Sequence, residues 1–277
     1  MRDETFDDYA PALGAADAAL QRLVDEYGGQ LFHLAYRFCG SREEAEDLVQ
    51  EVFMQAFRAW GAFRGESDEK TWLFRIAARA CQRMHRKRAG EPADIGSLHD
   101  LLPFGEPLIA AIPSEQEDAV QQQIRKEAGA RIEREIAALP DEFRVPILLK
   151  EIVGFGVDDI AQILDIPVAT VRSRVHRARL KLRAALDEAI PRGAGVAPPP
   201  AYAEQTCLDL LDAKQDALDR GVPFDNAIIC DRCRSVFASL DLTQEICRAM
   251  TGGGLPDDLR RRLRTRLREG ADIESTD

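Results

Sequence analysis

Four of the six cysteines fall in the last third of the chain: Cys207, Cys230, Cys233 and Cys247. Thiolates bind soft metal ions and exchange with disulfides, and the C-x2-C pair Cys230–Cys233 has the spacing for either. Three outcomes fit these residues: a zinc site through Cys207, Cys230, Cys233 and Cys247, a thiol–disulfide switch, or a fold that keeps the cysteines and holds no metal. Oxidation of a thiolate zinc site releases the metal, so the first two can be one device. Cys39 and Cys81 stand alone in helical patterns and read as small buried hydrophobes.

The second chemistry is cationic. From Lys70 to Gly90 there are seven Lys/Arg residues and no acid. Trp72 and Phe74 lie among Lys70, Arg75, Arg79, Arg83, Arg86, Lys87 and Arg88. Aromatic rings among cations suit single-stranded nucleic acid, because bases stack on rings or enter pockets while cations follow the phosphates. A core role for Trp72 stands beside that reading, and one ring can serve both. From Thr170 to Arg183 there are six Lys/Arg residues and again no acid. A third constellation is polar: Asp47, Gln50 and Glu51 share one helical face at i, i+3, i+4. Such a stripe docks partner helices through charge-assisted bonds, although taken alone it reads as a solvated acidic face.

The net charge of −11 argues against a nucleic-acid binder only if charge is averaged. Phosphates feel the local patch, and the acids gather before Lys70, between the two basic stretches and after Arg183. With 45% hydrophobic and 31% charged residues the composition is that of a globular protein. No apolar run approaches the ~20 residues of a membrane-spanning helix, and the N-terminus lacks an apolar signal core. A cytoplasmic protein without membrane insertion is expected.

Helical periodicity positions these residues. Leu23, Val24, Tyr27, Leu31, Leu34, Ala35 and Phe38 recur at helical spacing. Ser41 and Glu44 form a capping box for a second helix with Ala45, Leu48, Val49, Val52, Phe53 and Phe57 on its apolar stripe. Gly61 to Asp68 is a break, and a third helix runs from about Lys70 to Arg88. The segment Gly154 to Arg183 predicts a helix-turn-helix. Gly156 caps a first helix whose third position is Asp159, Asp165-Ile166-Pro167 breaks it, and a second helix begins near Ala169 or Thr170. Val171, Val175, Ala178 and Leu182 of that helix face inward. Arg172, Ser173, Arg174, Arg177, Arg179 and Lys181 are left for the outside, the geometry that lays a helix in the major groove. Arginines there bond guanine edges and phosphates.

The expected fold is all-α. A helical bundle over 16–90 is followed by a Pro/Gly-punctuated linker at 91–127, a helix-turn-helix domain at 128–188, a second linker at 189–201 and a small, mostly helical cysteine-containing module at 202–277. Within that module Leu259, Leu263 and Leu267 recur at i, i+4, i+8 among six arginines from Arg260 to Arg268. This amphipathic basic helix has three open fates: docking on an acidic surface of the same chain, touching DNA, or solvation.

The motif Asp47-Leu48-Val49-Gln50-Glu51-Val52-Phe53 resembles the polymerase-docking motif of sigma region two. Phe63-Arg64-Gly65-Glu66-Ser67 leading into Thr71-Trp72-Leu73-Phe74-Arg75-Ile76-Ala77 resembles the segment that melts and reads the −10 promoter element. Ala138-Leu139-Pro140 through Leu148-Leu149, Asp159 to Leu164 and Ile166 to Arg174 resemble sigma region four. With two blocks and no third region between them, the chain resembles a sigma factor of the extracytoplasmic-function group. That resemblance implies a non-enzymatic protein whose partners are core RNA polymerase and promoter DNA, with an anti-sigma factor as a candidate third partner and no cofactor needed for DNA binding. It implies polymerase docking by Asp47, Gln50 and Glu51. It assigns the −10 element to Arg64, Ser67, Lys70, Trp72, Arg75, Arg79 and Arg83, with a flipped base held by the loop from Arg64 to Asp68. It assigns the −35 element to Thr170, Arg172, Ser173, Arg174, Arg177 and Lys181. Asp165 and Ala169 replace glycines common in the family, and Gly156 replaces a capping serine.

The stretch from Cys207 through Asn226 to Arg234 resembles the zinc-binding domain of anti-sigma factors, which implies a regulatory module. That family carries a histidine where this chain has Asn226, and no histidine follows His176. Two other function classes remain at this point. A conventional helix-turn-helix regulator leaves the Asp47–Phe53 block without a role, and a thioredoxin-like enzyme built on Cys230–Cys233 lacks the βαβ pattern it needs.

Overall fold

The structure, a computed structural model, describes residues 10–85, 95, 119–190, 201–225, 229–251 and 253–274. Most of the expected linkers at 91–127 and 189–201, the cations Arg86, Lys87 and Arg88, and Asn226 lie outside them. Every regular element among the described residues is helical, in keeping with the all-α expectation. Contacts gather into two compact units. The first holds the N-terminal helices, residues 162–165 and the segment from Thr251 onward, and the second holds the rest.

In the first unit α1 (Ala10–Cys39), α2 (Arg42–Ala59) and α3 (Glu69–His85) pack together around Leu20, Leu23, Leu31, Leu34, Phe38, Leu48, Val52, Phe53, Leu73 and Phe74. Cys39 and Cys81 belong to this core. Gly40 ends α1 with φ +79°, a conformation open to glycine at no steric cost. The side chain of Ser41 then accepts the Glu44 N–H at 3.2 Å and starts α2, as the capping box predicts. α3 starts from a cap that lies within the expected break. The Asp68 carboxylate accepts the Thr71 N–H at 2.8 Å and the Thr71 hydroxyl at 2.6 Å.

The last helix, α10 (Asp257–Glu274), lies on α1 and α2, so docking is the fate its pattern takes. Leu259, Leu263 and Leu267 are all buried. Arg264 pairs with Asp25 at 2.7 Å, Asp258 with Arg42 at 3.4 Å, and Arg262 with Glu46. The chain entering α10 explains two adjacent glycines in the middle of α1. A Cβ on Gly28 would meet the Leu255 side chain at 3.0 Å, and one on Gly29 would meet the Leu255 backbone at 3.3 Å. Glycine inside a helix costs roughly 0.5–1 kcal/mol relative to alanine, and here it makes room for that close approach. A ring nitrogen of His33, Nε2, bonds the Gly253 carbonyl at 2.7 Å.

The second unit is built on α4 (Ala119–Ala138), α5 (Asp141–Ile147) with a π turn (Leu148–Val153), the first part of α6 (Val157–Leu164) and α7 (Val168–Ala189). α4 begins ahead of residue 128, where the sequence reading starts this domain. Gly154 closes the π turn at φ +85°, and the Gly156 N–H bonds Asp159 Oδ2 at 3.2 Å, the cap expected there. Asp165 takes φ +55° in the turn, a role short polar side chains tolerate. α7 then starts at Val168, just after Pro167, slightly earlier than the pattern suggests. α8 (Glu204–Arg220) and α9 (Asp231–Ala249) complete the unit, with α9 packed on α7, α4 and the π turn. The C-terminal segment therefore divides between the units: α8 and α9 go with the helix-turn-helix, α10 with the N-terminal bundle.

Candidate nucleic-acid interface

Between α2 and α3 the chain forms a cleft of about 390 Å³ lined by Ala62, Phe63, Arg64, Glu66, Ser67, Trp72 and Arg75. Its wall is a cluster of three rings. Phe63 lies 5.0 Å from Trp72, and Trp60 lies 5.5 Å from Phe63 and 5.7 Å from Trp72, centroid to centroid. Trp72 is half-buried, so it packs and still borders the cleft, joining the two readings of that ring. Asp68 anchors the loop. Burial would raise its carboxyl, but the bonds from the Thr71 hydroxyl and N–H outweigh burial and hold it below the ordinary range. The arrangement offers stacking faces, an acceptor carboxylate and two guanidinium groups to a ligand the size of a base. Of the remaining cations on α3, Lys70 is half-buried, Arg79 is exposed, and Arg83 is tied to Glu51 at 3.0 Å and to Gln55 at 3.1 Å.

That last bond joins two sets which the sequence treats separately, since Glu51 belongs to the polar stripe of α2. Asp47 and Glu51 are exposed on α2, whereas Gln50 is only 6% exposed. Nearby, Glu46 is held low. Burial would raise it, but Arg42 and Arg262 on either side outweigh burial.

In the second unit the N-terminal half of α7 is open. Arg172 and Ser173 are exposed and Thr170 is half-buried. Arg174 pairs with Glu142 at 2.9 Å, Arg177 lies over the Phe143 ring at 4.9 Å, and Lys181 reaches Glu135 at 3.5 Å. These contacts aim the side chains from one side of the helix. Arg179, placed on the outer face by sequence pattern, is instead buried at 2% exposure. Its Nε donates to Glu151 of the π turn at 2.8 Å and its Nη1 to Asp219 of α8 at 2.7 Å. Asp219 also bonds His176 at 3.0 Å, and its backbone carbonyl accepts Lys150 Nζ at 2.7 Å. Burial would raise Asp219, but His176 and Arg179 hold it below the usual carboxylate range. Burial pushes Lys150 down from the ordinary lysine value. Sequence reasoning missed this network because its members lie far apart along the chain. The signal present was a lone His176 and Arg179 three residues apart.

The thiols divide in two. Cys230 stands at the N-terminus of α9, half-buried. Burial would raise it, but the N–H groups of Cys233 and Ala201 and the Cys233 thiol bring it below the ordinary thiol value. Cys233 is buried and pushed up to about 12, first by burial and then by Cys230 and Cys207 beside it. No disulfide joins the six cysteines. Among the described residues, the only His/Cys/Asp/Glu group with ligand atoms all within 4.8 Å of one another is His176, Asp216 and Asp219. Its Asp219 is already spanned by Arg179, whose positive charge opposes a metal cation there. The four C-terminal cysteines do not converge in that way, and the expected zinc site gains no support from the geometry.

Residues 23–91 match the family described as Sigma-70 region 2, and residues 129–182 the family described as Sigma-70, region 4. The RNA polymerase sigma-H factor of Pseudomonas aeruginosa is 35% identical over 170 residues, covering 61% of this chain and 86% of that protein. The ECF RNA polymerase sigma factor SigW of Bacillus subtilis is 34% identical over 168 residues, covering 60% and 87%. Among solved structures, CnrH in complex with the cytosolic domain of CnrY is similar over 65% of this chain and 97% of that one, with 24% identity and a TM-score of 0.44. α8, α9 and α10 lie beyond both family matches.

Proposed function

The chain belongs to the extracytoplasmic-function RNA polymerase sigma factors, and from that membership we propose a division of labour among its surfaces. The protein is a non-enzymatic initiation factor that binds core RNA polymerase and directs transcription from particular promoters, and no cofactor takes part in DNA binding. Asp47, Gln50 and Glu51 dock the polymerase, with the exposed Asp47 and Glu51 supplying the charge. The cleft receives an unstacked −10 base. Trp72 offers a stacking face, Glu66 and Ser67 offer hydrogen bonds to base edges, and Arg64, Lys70, Arg75, Arg79 and Arg83 follow the strand. Thr170, Arg172, Ser173, Arg174, Arg177 and Lys181 read the −35 duplex from the open half of α7, with Arg172 best placed for a base edge. A factor of this kind works where the polymerase is, in the cytoplasm, and no helix among the described residues is long and apolar enough to cross a membrane.

The observation that carries this reading is the cleft itself, in which stacking rings and guanidinium groups meet at the loop the family uses for the melted strand. Run-off transcription with core polymerase tests it on a promoter and on the same promoter with its −10 bases scrambled. Trp72→Ala should lower the specific product while core affinity stays at the parent value. Parent transcription by that variant would take the cleft out of −10 recognition.

The segment from Glu204 to Glu274 is read as a regulator carried on the same chain. Its cysteines are read as thiols rather than zinc ligands, because among the described residues they form no group with ligand atoms all within 4.8 Å of one another. Zinc retained by the purified chain after dialysis, and lost in Cys233→Ser, would restore the metal reading.

A further inference from the structure

Arg83 stands where two of the proposed surfaces meet. Its Nη2 donates to Glu51 Oε1 at 3.0 Å and to Gln55 Oε1 at 3.1 Å. Gln55, one turn further along α2, donates to the same Glu51 oxygen at 2.7 Å. The three side chains close a ring of hydrogen bonds between α2 and α3, two helices of the same compact unit. Glu51 and Arg83 are each about half exposed, so both can reach an outside partner. Arg75, Arg79 and Arg83 recur every four residues along α3, about 6 Å apart at 1.5 Å per residue. Arg75 lines the cleft and Arg79 is exposed. Of these three described cations, only Arg83 is held by a carboxylate.

A guanidinium 3.0 Å from a carboxylate presents little net charge to a phosphate. The remaining N–H groups of Arg83 can still donate, but a phosphate bonded to them comes close to Glu51 and is repelled by it. The converse holds for Glu51, because cationic groups of a polymerase drawn to its carboxylate meet Arg83 beside it. A partner that neutralises Glu51 therefore leaves the charge of Arg83 to a strand, and a strand that neutralises Arg83 leaves Glu51 to a polymerase. Such a coupling is reciprocal by linkage. Exposed ion pairs are weak, so its size is about two- to fivefold in either affinity.

We propose that the Glu51–Arg83 pair couples polymerase docking to strand binding: in the free chain each side chain masks the charge of the other, and core polymerase arriving at Glu51 releases Arg83 to the melted strand. This rests on the reading above, which gives Glu51 to polymerase and Arg83 to the −10 strand. Gln55 is a positioning residue. It touches both charges and keeps them together in the free chain. A plain strut between α2 and α3 makes the opposite prediction. Breaking a strut loosens the bundle and weakens binding or leaves it unchanged, whereas removing one charge of the pair strengthens binding by the other.

The test uses the full chain in about 0.1 M salt, where exposed charges more than about 10 Å apart are largely screened. Two affinities are read: for a short labelled single strand of random DNA sequence, by fluorescence anisotropy, and for core RNA polymerase. Glu51→Gln keeps the acceptor and removes the charge, and it should bind the strand about two- to fivefold tighter than the parent. Arg83→Met keeps the stem and removes the charge, and it should bind core polymerase tighter by the same factor. In an Arg83→Met background, Glu51→Gln should leave strand affinity where it is. Glu43→Gln alters an exposed acid about two turns earlier on α2, with no part in either site, and should match the parent in both affinities. An unchanged or weaker affinity where either single variant should gain overturns the coupling. So does a strand gain that survives Arg83→Met, or one that Glu43→Gln reproduces, since net charge alone would then explain it. Arg79→Gln checks the reading beneath, because Arg79 lies outside the pair. Parent strand affinity in that variant, or no strand binding by any chain, would take α3 out of strand binding, and the coupling with it.

Discussion

Cys230 and Cys233 are neighbours on one helical turn, yet their thiols differ in proton affinity because only the first meets the N-terminal N–H groups of α9 and partial solvent. Alkylation at pH 8 should therefore label Cys230 at least about tenfold faster than Cys233, since the thiolate is the nucleophile. Equal rates by mass spectrometry would contradict the assignment. Asp68→Ala removes the α3 cap and should cost roughly 1 kcal/mol of stability. The folded carboxyl lies below its unfolded value, so its contribution is full above about pH 4 and fades as pH falls through the lowered value. The difference in unfolding midpoint between parent and Asp68→Ala should thus shrink on acidification. At the other interface, Arg172→Ala should weaken −35 binding by about 1–3 kcal/mol and relax one base position, as measured by competition with single-base variants. The residues that face outward at these sites were legible in the sequence, because period and charge mark an exposed basic face. Arg179 was not, because its partners Glu151 and Asp219 come from other elements and a helical pattern cannot say which outer face another helix will cover.

At the scale of elements, the group of Arg179, Glu151 and Asp219 joins α7, the π turn and α8. Arg179→Ala would leave two buried carboxylates without their cation and should destabilise the protein by about 3–5 kcal/mol in denaturant unfolding. Arg179→Met, tested together with Glu151→Leu and Asp219→Leu, should recover much of that loss, because a packed apolar set carries no desolvation cost. The glycines of α1 make a sharper case. Alanine normally stabilises a helix interior, yet Gly28→Ala should lower the stability of the full chain, since its Cβ meets Leu255 at 3.0 Å. In a chain ending at Met250 the same change should become neutral or stabilising. That reversal of sign is read from thermal midpoints, and its absence would remove the packing reason for the glycines. The helices, their caps at Ser41 and Gly156 and the break at Asp165 could be read from spacing alone, because they rest on local hydrogen bonds. The docking of α10 could be drawn only as one of three options, because an arginine–leucine stripe states what it needs and not where it finds it.

The whole molecule carries a charge of −11, and the proposed reading gives nucleic acid two locally basic faces on it. Binding should therefore weaken steeply with salt, as phosphate contacts release counterions, even though the net charge has the sign of DNA. The same acidity gives α10 its seat, since Asp25 and Glu46 lie on the N-terminal bundle facing Arg264 and Arg262. The most direct measurement of the central claim is transcription by core RNA polymerase on a promoter library, with and without the purified chain. The account predicts that the chain selects templates sharing two short elements and yields discrete run-off products from them. An unchanged transcript profile, with no complex between the chain and core polymerase, would contradict it.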